Sequence, residues 1–433
     1  MGWARGLYSA ALQLLAPLAW RRLRREHGLT DPRPLRLGRI PATPAGERML
    51  WLHCASVGEV QAARPLIAAL LERHPAHRLT VTTMTATGAE RVRALAEGRR
   101  DERLAHRFVP LDFPAAARRF VVRLRPELAL FFETELWPNL LHACAAGGVP
   151  VAVINGRLSP RAFRGYRRLR PLMREALAEV DWLAAKSPAD AERFRALGMA
   201  PARTTVVGSL KFDIAPDDEA SGVSERLRTH LGRRSVWVAG STHEGEEARL
   251  LAAHARLRER HPEALLVLVP RHPQRFDAVA ELCAEAGLAA ARRSRNEWPG
   301  DEAAVYLGDT MGELLALYGA ADLAFVGGSL VPVGGHNLLE PAALGVPVLS
   351  GPALANFEDV AEALREADAL VEVADEAALA AALGRLFDDP AERRRLGEAG
   401  RALVATRRGA LARTLAGLDY LLPSECSLSA SGR

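Results

Sequence analysis

The chain has 433 residues, 49% of them hydrophobic and 25% charged, which points to two folded domains with a sizeable core in each and excludes disorder over most of the length. A net charge of +5 favours an anionic partner, whether nucleic acid, an acidic membrane surface or a phosphorylated substrate. The four cysteines, Cys54, Cys144, Cys283 and Cys426, form no CxxC pair, so neither a disulfide framework nor a zinc site is expected and a reducing, cytosolic setting fits.

Residues 7–20 are mostly apolar but contain Ser9, Gln13 and Pro17, and they are shorter than the roughly 20 residues that span a bilayer. Arg21, Arg22, Arg24 and Arg25 follow at once, whereas a signal peptide carries its charge ahead of the apolar stretch. The pattern favours a helix lying in the headgroup region, with Trp3, Tyr8 and Trp20 as interfacial aromatics and the arginines on anionic lipid. The plainer alternative is an N-terminal helix packed on its own domain.

From residue 49 onward, short apolar runs alternate with helical patterns. Strands are expected at 49–54, 79–83, 128–132, 150–154 and 183–185, with helices between them such as 62–73 and 89–96. Acidic and small residues at 213–224 read as a linker. The alternation restarts with strands at 236–239, 265–269, 304–307, 323–326 and 346–349, the last containing Pro347. Residues 391–421 read as helix. The expected organisation is a lead-in over 1–47, a first domain over 48–215, a linker over 216–234, a second domain with closing helices over 235–423, and a disordered tail over 424–433. Alternation of this kind gives an α/β fold of two Rossmann-like domains with parallel sheets, and the carboxyl ends of the strands bind ligand.

The chemistry-bearing motifs sit at those strand ends. In His53-Cys54-Ala55-Ser56-Val57-Gly58-Glu59, a strand runs into a turn and a helix starts near Gly58, which is read as allowing a tight turn and close substrate approach. Glu59 falls in the first helical turn, where the dipole favours the carboxylate. It is suited to be a general base, although dipole complementation alone also explains it. Glu133-Thr134-Glu135-Leu136-Trp137-Pro138-Asn139 puts two acids after another strand, with Pro138 opening a helix. Asn155-Gly156-Arg157-Leu158-Ser159 follows a further strand, and Gly208-Ser209-Leu210-Lys211-Phe212-Asp213 offers Lys211 to an anionic donor.

In the second half, Ser241-Thr242-His243-Glu244 has the spacing of a capping box. Pro270-Arg271-His272-Pro273 presents an arginine for an oxyanion. Gly308-Asp309-Thr310-Met311-Gly312-Glu313 opens a helix. Gly327-Gly328-Ser329 and Gly334-Gly335-His336-Asn337-Leu338-Leu339-Glu340-Pro341 form a glycine-rich loop leading into a helix, where backbone N–H groups could approach a phosphate. No Asp-x-Asp, GxxxxGK[ST] or HExxH motif occurs, so a metal clamp is not expected, and a single phosphate needs less charge neutralisation than a diphosphate.

These blocks, in order over about residues 50–360, resemble the Kdo (3-deoxy-D-manno-octulosonic acid) transferases of lipopolysaccharide synthesis. The resemblance implies a GT-B fold with the active site in an interdomain cleft. It implies an inverting transfer of Kdo from CMP-Kdo, a co-substrate, onto a lipid A precursor (lipid IVA), with no metal or other cofactor. Glu59 would take the proton of the acceptor hydroxyl, and Glu133 and Lys211 would support the transition state. Arg271, His272, Met311, Gly312, Glu313, Asn337, Leu338, Leu339 and Glu340 match CMP-binding positions. The implied location is the cytoplasmic face of the inner membrane. The rival enzyme reading is another GT-B transferase or an epimerase using a UDP sugar. Nucleic acid is disfavoured, because the arginines concentrate at the N-terminal anchor and no base-stacking aromatic pattern stands out.

Overall fold

The central strands of such a chain are short apolar runs, because a parallel strand covered by helices on both faces has no polar side. The computed structural model describes residues 2–27, 33–214 and 218–422 and divides into two units, 1–213 with 408–433 and 214–407. In the first, β1 (Arg48–His53), β2 (His77–Thr83), β3 (Leu104–Phe108), β4 (Leu128–Phe132), β5 (Val151–Gly156), β6 (Trp182–Ala185) and β7 (Thr204–Val206) form one parallel sheet in the order β3-β2-β1-β4-β5-β6-β7. In the second, β8 (Val236–Thr242), β9 (Leu265–Pro270), β10 (Ala290–Arg292), β11 (Val305–Leu307), β12 (Leu323–Val326), β13 (Val348–Ser350) and β14 (Leu370–Glu372) are ordered β10-β11-β9-β8-β12-β13-β14. Two Rossmann-like units of seven strands each are the α/β class expected.

β1 illustrates the packing. Met49 and Trp51 enter the core on one face of the sheet, and Leu50, Leu52 and Cys54 enter the core on the other. Trp51 meets Phe120 and Phe131 with ring centroids 5.1 and 5.2 Å apart. In both sheets the first strand lies beside a strand reached only after the chain has built the opposite flank. These switch points, β1/β4 and β8/β12, are where a crevice opens at the strand carboxyl ends.

Several boundaries differ from the sequence reading. Residues 218–231 of the expected linker are a helix, Asp218–Leu231, whose Ser224 Oγ donates to the Ala316 carbonyl at 2.8 Å and whose Leu227 and Leu231 are buried. The expected helix over 391–421 is two, Pro390–Arg407 and Ala410–Leu418, split at Gly409 with φ +91°. The Asp213 carboxylate accepts the Gly409 and Leu411 N–H groups, each at 2.7 Å. Ala410, Leu418 and Leu422 then enter the core of the first unit, so residues 408–422 belong there and not to the second domain. The tail expected over 424–433 lies outside the described residues.

The helix Trp3–His27 carries Pro17 inside it, and no described helix is long and apolar enough to cross a membrane. Its first turns pack on the first unit: Ala4 and Arg5 are buried, and the Ala4 and Arg5 N–H groups point to the Glu175 carboxylate at 3.3 and 3.1 Å. Tyr8 is not an interfacial aromatic. It packs against the core and hydrogen-bonds the Asp112 carboxyl, which burial pushes up to about 7. The side chains of Arg22, Arg24 and Arg25 lie outside the described residues.

Close packing reaches the strand ends. A Cβ on Gly240 would lie 2.1 Å from the hydroxyl of Tyr318, itself fully buried. Gly240→Ala is therefore expected to cost about 1–3 kcal/mol through overpacking, read as a lower urea midpoint with an unchanged slope.

Candidate functional site

At the β1/β4 switch point the chain after β1 turns into the helix Val57–Arg73. Ser56 caps it: its Oγ accepts the Glu59 N–H at 3.3 Å and donates to Glu59 Oε1 at 3.0 Å, while the Ala55 N–H donates to Oε2 at 2.8 Å. Gly58 is an ordinary helical residue whose missing side chain would meet only the Ser56 hydroxyl, at 3.9 Å. The tight turn expected there is unnecessary, because Ser56 in extended backbone already ends the loop.

Glu59 does not follow the dipole expectation. Its carboxyl is pushed up to about 8, first by burial and then by the charges of Glu135 and Glu133, against the two hydrogen bonds that favour ionisation. Burial and repulsion outweigh the helix terminus here. Glu133 closes β4 in left-handed backbone, φ +58°, with its N–H donated to the Ile154 carbonyl at 2.8 Å. Burial pushes the Glu135 carboxyl up, but the neighbouring His53 and the Trp137 N–H, 2.6 Å away, hold it below the usual range. His53 Nε2 lies 3.5 Å from Glu135, and its Nδ1 lies 2.9 Å from Thr82 Oγ1. The Cys54 thiol, fully buried beneath, is raised by burial and by all three carboxylates, which locates them as one cluster.

Asn155 joins this end of the sheet. It is buried with φ +54°, and its Oδ1 accepts the Leu210 N–H at 3.2 Å. That bond fixes the 3₁₀ turn Leu210–Phe212, which carries Lys211 and packs beside the Glu59 helix. Strained left-handed residues at strand ends are characteristic of functional sites. Ser56→Ala is expected to remove about 1 kcal/mol of capping and to raise the Glu59 pKa further, moving the pH–rate limb it governs to higher pH.

The β8/β12 switch point is built differently from the sequence expectation. β8 runs on through Thr242, Ser241 has φ +58°, and the following helix, Glu247–Arg258, has no side-chain cap. The expected capping box of Ser241 and Glu244 is absent, because Ser241 is still in β8 and Glu244 lies in the turn ahead of the helix. Glu246, fully buried, reaches across to the glycine loop instead. Its carboxylate accepts the N–H groups of Gly328 (2.7 Å), Ser329 (3.1 Å) and Leu330 (2.9 Å). Glu247 pairs with Arg275 at 2.5 Å.

The rims of this unit carry the remaining expected residues. The Arg271 N–H donates to the Thr242 carbonyl at 3.0 Å, joining the ends of β8 and β9. His272 is exposed, and its ring lies 5.1 Å from that of His243. The His243 and His336 rings stack 5.0 Å apart with their Nε2 atoms 2.8 Å apart. Met311 is 61% exposed and Gly312 has φ +92°. The Glu313 side chain pairs with Arg293 at 2.8 Å. Asn337 Oδ1 accepts the Leu339 N–H and its Nδ2 donates to Glu340, both at 3.2 Å, while Leu338 and Leu339 are buried. Glu340 also bears electrostatically on Tyr318, in the helix Leu314–Gly319 that follows residues 311–313. The structure thus groups Glu59 with Glu133, and Arg271 with His272. Glu135, Glu246 and His243 stand within these clusters, although the sequence reading gave them no role. Among the described residues no group of His, Cys, Asp or Glu is arranged to hold a metal ion.

Comparisons with known proteins identify the family. A family model described as 3-Deoxy-D-manno-octulosonic-acid transferase (kdotransferase) matches residues 33–214, and one for glycosyl transferases group 1 matches 243–403. A 3-deoxy-D-manno-octulosonic acid transferase of Bordetella pertussis is 42% identical over 96% of this chain and 99% of its own. Its Haemophilus influenzae counterpart is 39% identical over 86% of each chain. A UDP-GlcNAc 2-epimerase from Neisseria meningitidis shares the fold, with a TM-score of 0.53 at 13% identity over 86% of this chain and 99% of its own. With both halves matched and relatives of this identity aligned over most of its length, the chain belongs to the Kdo transferase family of GT-B glycosyltransferases.

Proposed function

We propose that the protein transfers Kdo from CMP-Kdo to a hydroxyl of a lipid A precursor, lipid IVA, inverting the anomeric carbon and using no metal. The observation that carries this reading is Glu59, a carboxylate at a strand-to-helix turn whose pKa of about 8 suits a general base near neutral pH. Glu59 removes the proton of the acceptor hydroxyl. The oxygen attacks the anomeric carbon, the bond to the phosphate oxygen breaks, and its electron pair leaves with CMP. Glu133 and Glu135 favour the protonated form of Glu59, so accepting the proton relieves repulsion between them. Lys211 and Glu133 support the transition state. Arg271, His272, the backbone of Met311–Glu313, and Asn337 to Glu340 bind CMP. The sugar is supported by the activity named for relatives 39% and 42% identical to this chain, transfer of 3-deoxy-D-manno-octulosonic acid.

Incubation of the purified protein with CMP-Kdo and lipid IVA in EDTA-containing buffer tests the proposal, with product masses as the readout. Growth of the acceptor by one or more Kdo masses is the expected result. Unmodified acceptor in an otherwise competent assay sinks the assignment, and loss of transfer only with EDTA sinks the metal-free part.

The same reading sets the enzyme on the anionic cytoplasmic face of the inner membrane. The helix Trp3–His27 exposes Trp3 (67%), Leu7 (65%), Leu14 (83%) and Leu15 (54%). The exposed Arg161, Arg164, Arg167 and Arg168 of the helix Pro160–Arg168 add positive charge on the same unit, a feature the sequence reading passed over. Co-sedimentation with vesicles containing anionic lipid is expected for the natural chain. Leu14→Glu with Leu15→Glu should reduce it several-fold.

A further inference from the structure

A leaving phosphate needs donors or cations, and in the second unit the obvious donors are already used. The Gly328, Ser329 and Leu330 N–H groups all point at the buried Glu246 carboxylate. A phosphate could reach these three amides only by displacing a carboxylate that holds the same positions. The start of the glycine loop is therefore filled from within, and an anion on this unit needs other groups.

Beside it lies a group of imidazoles around Arg271, none of them ion-paired to a carboxylate among the described residues. His243 stands in the turn after β8, His272 after β9, and His336 after the glycine loop, with the His243 ring 5.1 Å from His272 and 5.0 Å from His336. Arg271 makes no ion pair among the described residues. Of the two buried acids nearby, Glu246 is consumed by the loop and Glu247 by Arg275. The exposed Glu244 is the remaining acid of this turn.

We propose that His243 is a direct contact for the phosphate of the CMP sugar, completing with Arg271 and His272 an anion seat that Glu246 positions. This rests on the CMP-sugar reading above. Glu246 acts on His243 from both sides, since the His243 N–H donates to its carboxylate at 3.3 Å and the Glu246 N–H donates to the His243 carbonyl at 3.0 Å. The Nε2 atoms of His243 and His336 are 2.8 Å apart, so the two share one hydrogen and cannot both carry one there. Burial lowers the pKa of both, His336 to about 4, and the charges of Arg271 and His272 add to this. An arriving phosphate opposes those charges, so its binding favours protonation of the cluster.

Calorimetric titration of the full chain with CMP and with cytidine separates the contributions. His243→Gln is expected to weaken CMP about tenfold or more, the size of one lost charge-assisted hydrogen bond, and to leave cytidine within twofold. His243→Ala, measured alongside a melting curve, guards against a folding defect in either variant. Titration in buffers of different ionisation enthalpy should show a larger proton uptake with CMP for the natural chain than for His243→Gln. Equal CMP affinity and equal proton uptake in the natural chain and a folded variant overturn the assignment. A parallel loss of CMP and cytidine makes His243 structural and also overturns it. Failure of the natural chain to bind CMP strikes instead at the donor reading.

Discussion

Replacing Glu59 by Gln is expected to lower kcat by about 10²–10⁴-fold, some 3–5 kcal/mol of barrier, while CMP binding is unchanged. The selective loss follows from where the residue stands. Glu59 belongs to the first unit, at the end of β1, and the candidate nucleotide residues belong to the second. Its acidity gives the prediction a pH signature. A general base works as the carboxylate, and Glu59 is pushed up to about 8 by burial and by Glu135 and Glu133. The natural enzyme should therefore show kcat/KM rising about tenfold per pH unit below about 8 and levelling above it. The Gln variant should lose that limb. Stability gives an independent check with the opposite sense. The folded pKa lies above the ordinary 4.5, so this group favours the fold most below 4.5 and loses that contribution as pH rises through about 8. Glu59→Gln should thus gain melting temperature relative to the natural chain at pH 9 and not at pH 4. A Gln variant with natural turnover, or with the rising limb below about pH 8 intact, removes Glu59 from the role of base.

The parts of the fold legible in the sequence were those buried on both faces. β1, β4, β8, β9 and β12 are continuous apolar runs, and each falls where the pattern puts it. The four strands that the pattern missed, β3, β7, β10 and β14, are the four sheet edges. Edge strands keep one side accessible and hold residues such as His106, Arg107 and Arg292, so they carry no apolar signal. Pro347 proved harmless because β13 begins only at Val348. The chain's return to the first unit at residue 408 rests on the Asp213 carboxylate meeting amides almost two hundred positions away, a tertiary bond with no local signature. The site divides in the same way. Ser56 and Glu59 have capping-box spacing and were open to local reading. The elevation of the Glu59 pKa depends on Glu135 and Glu133, brought beside it only by the β1/β4 pairing. Among the acids at 244–247, spacing favoured Glu244, but Glu246 and Glu247 are the ones turned inward.

Glu246→Ala is the second large effect expected. A buried carboxylate that satisfies the amides of Gly328, Ser329 and Leu330 leaves three donors without acceptors when it is removed. Each unsatisfied buried donor costs about 1–3 kcal/mol, so the total is at least about 3 kcal/mol unless water enters the space. Among the described residues no other carboxylate accepts these amides, and a Cβ on Gly327 would already meet Glu246 Oε2 at 2.8 Å, so the loop and the carboxylate fit each other closely. Glu246→Gln keeps the shape but offers one acceptor oxygen and turns an NH₂ toward N–H groups, so it should recover only part of the loss. Urea denaturation should lower the midpoint in the order natural chain, Gln variant, Ala variant. Under conditions where all three remain folded, KM for the CMP sugar should rise in the same order. Binding of the lipid acceptor alone should stay constant. A Glu246→Ala protein with the natural midpoint and natural KM means that the loop amides find other acceptors and that the carboxylate holds nothing in place.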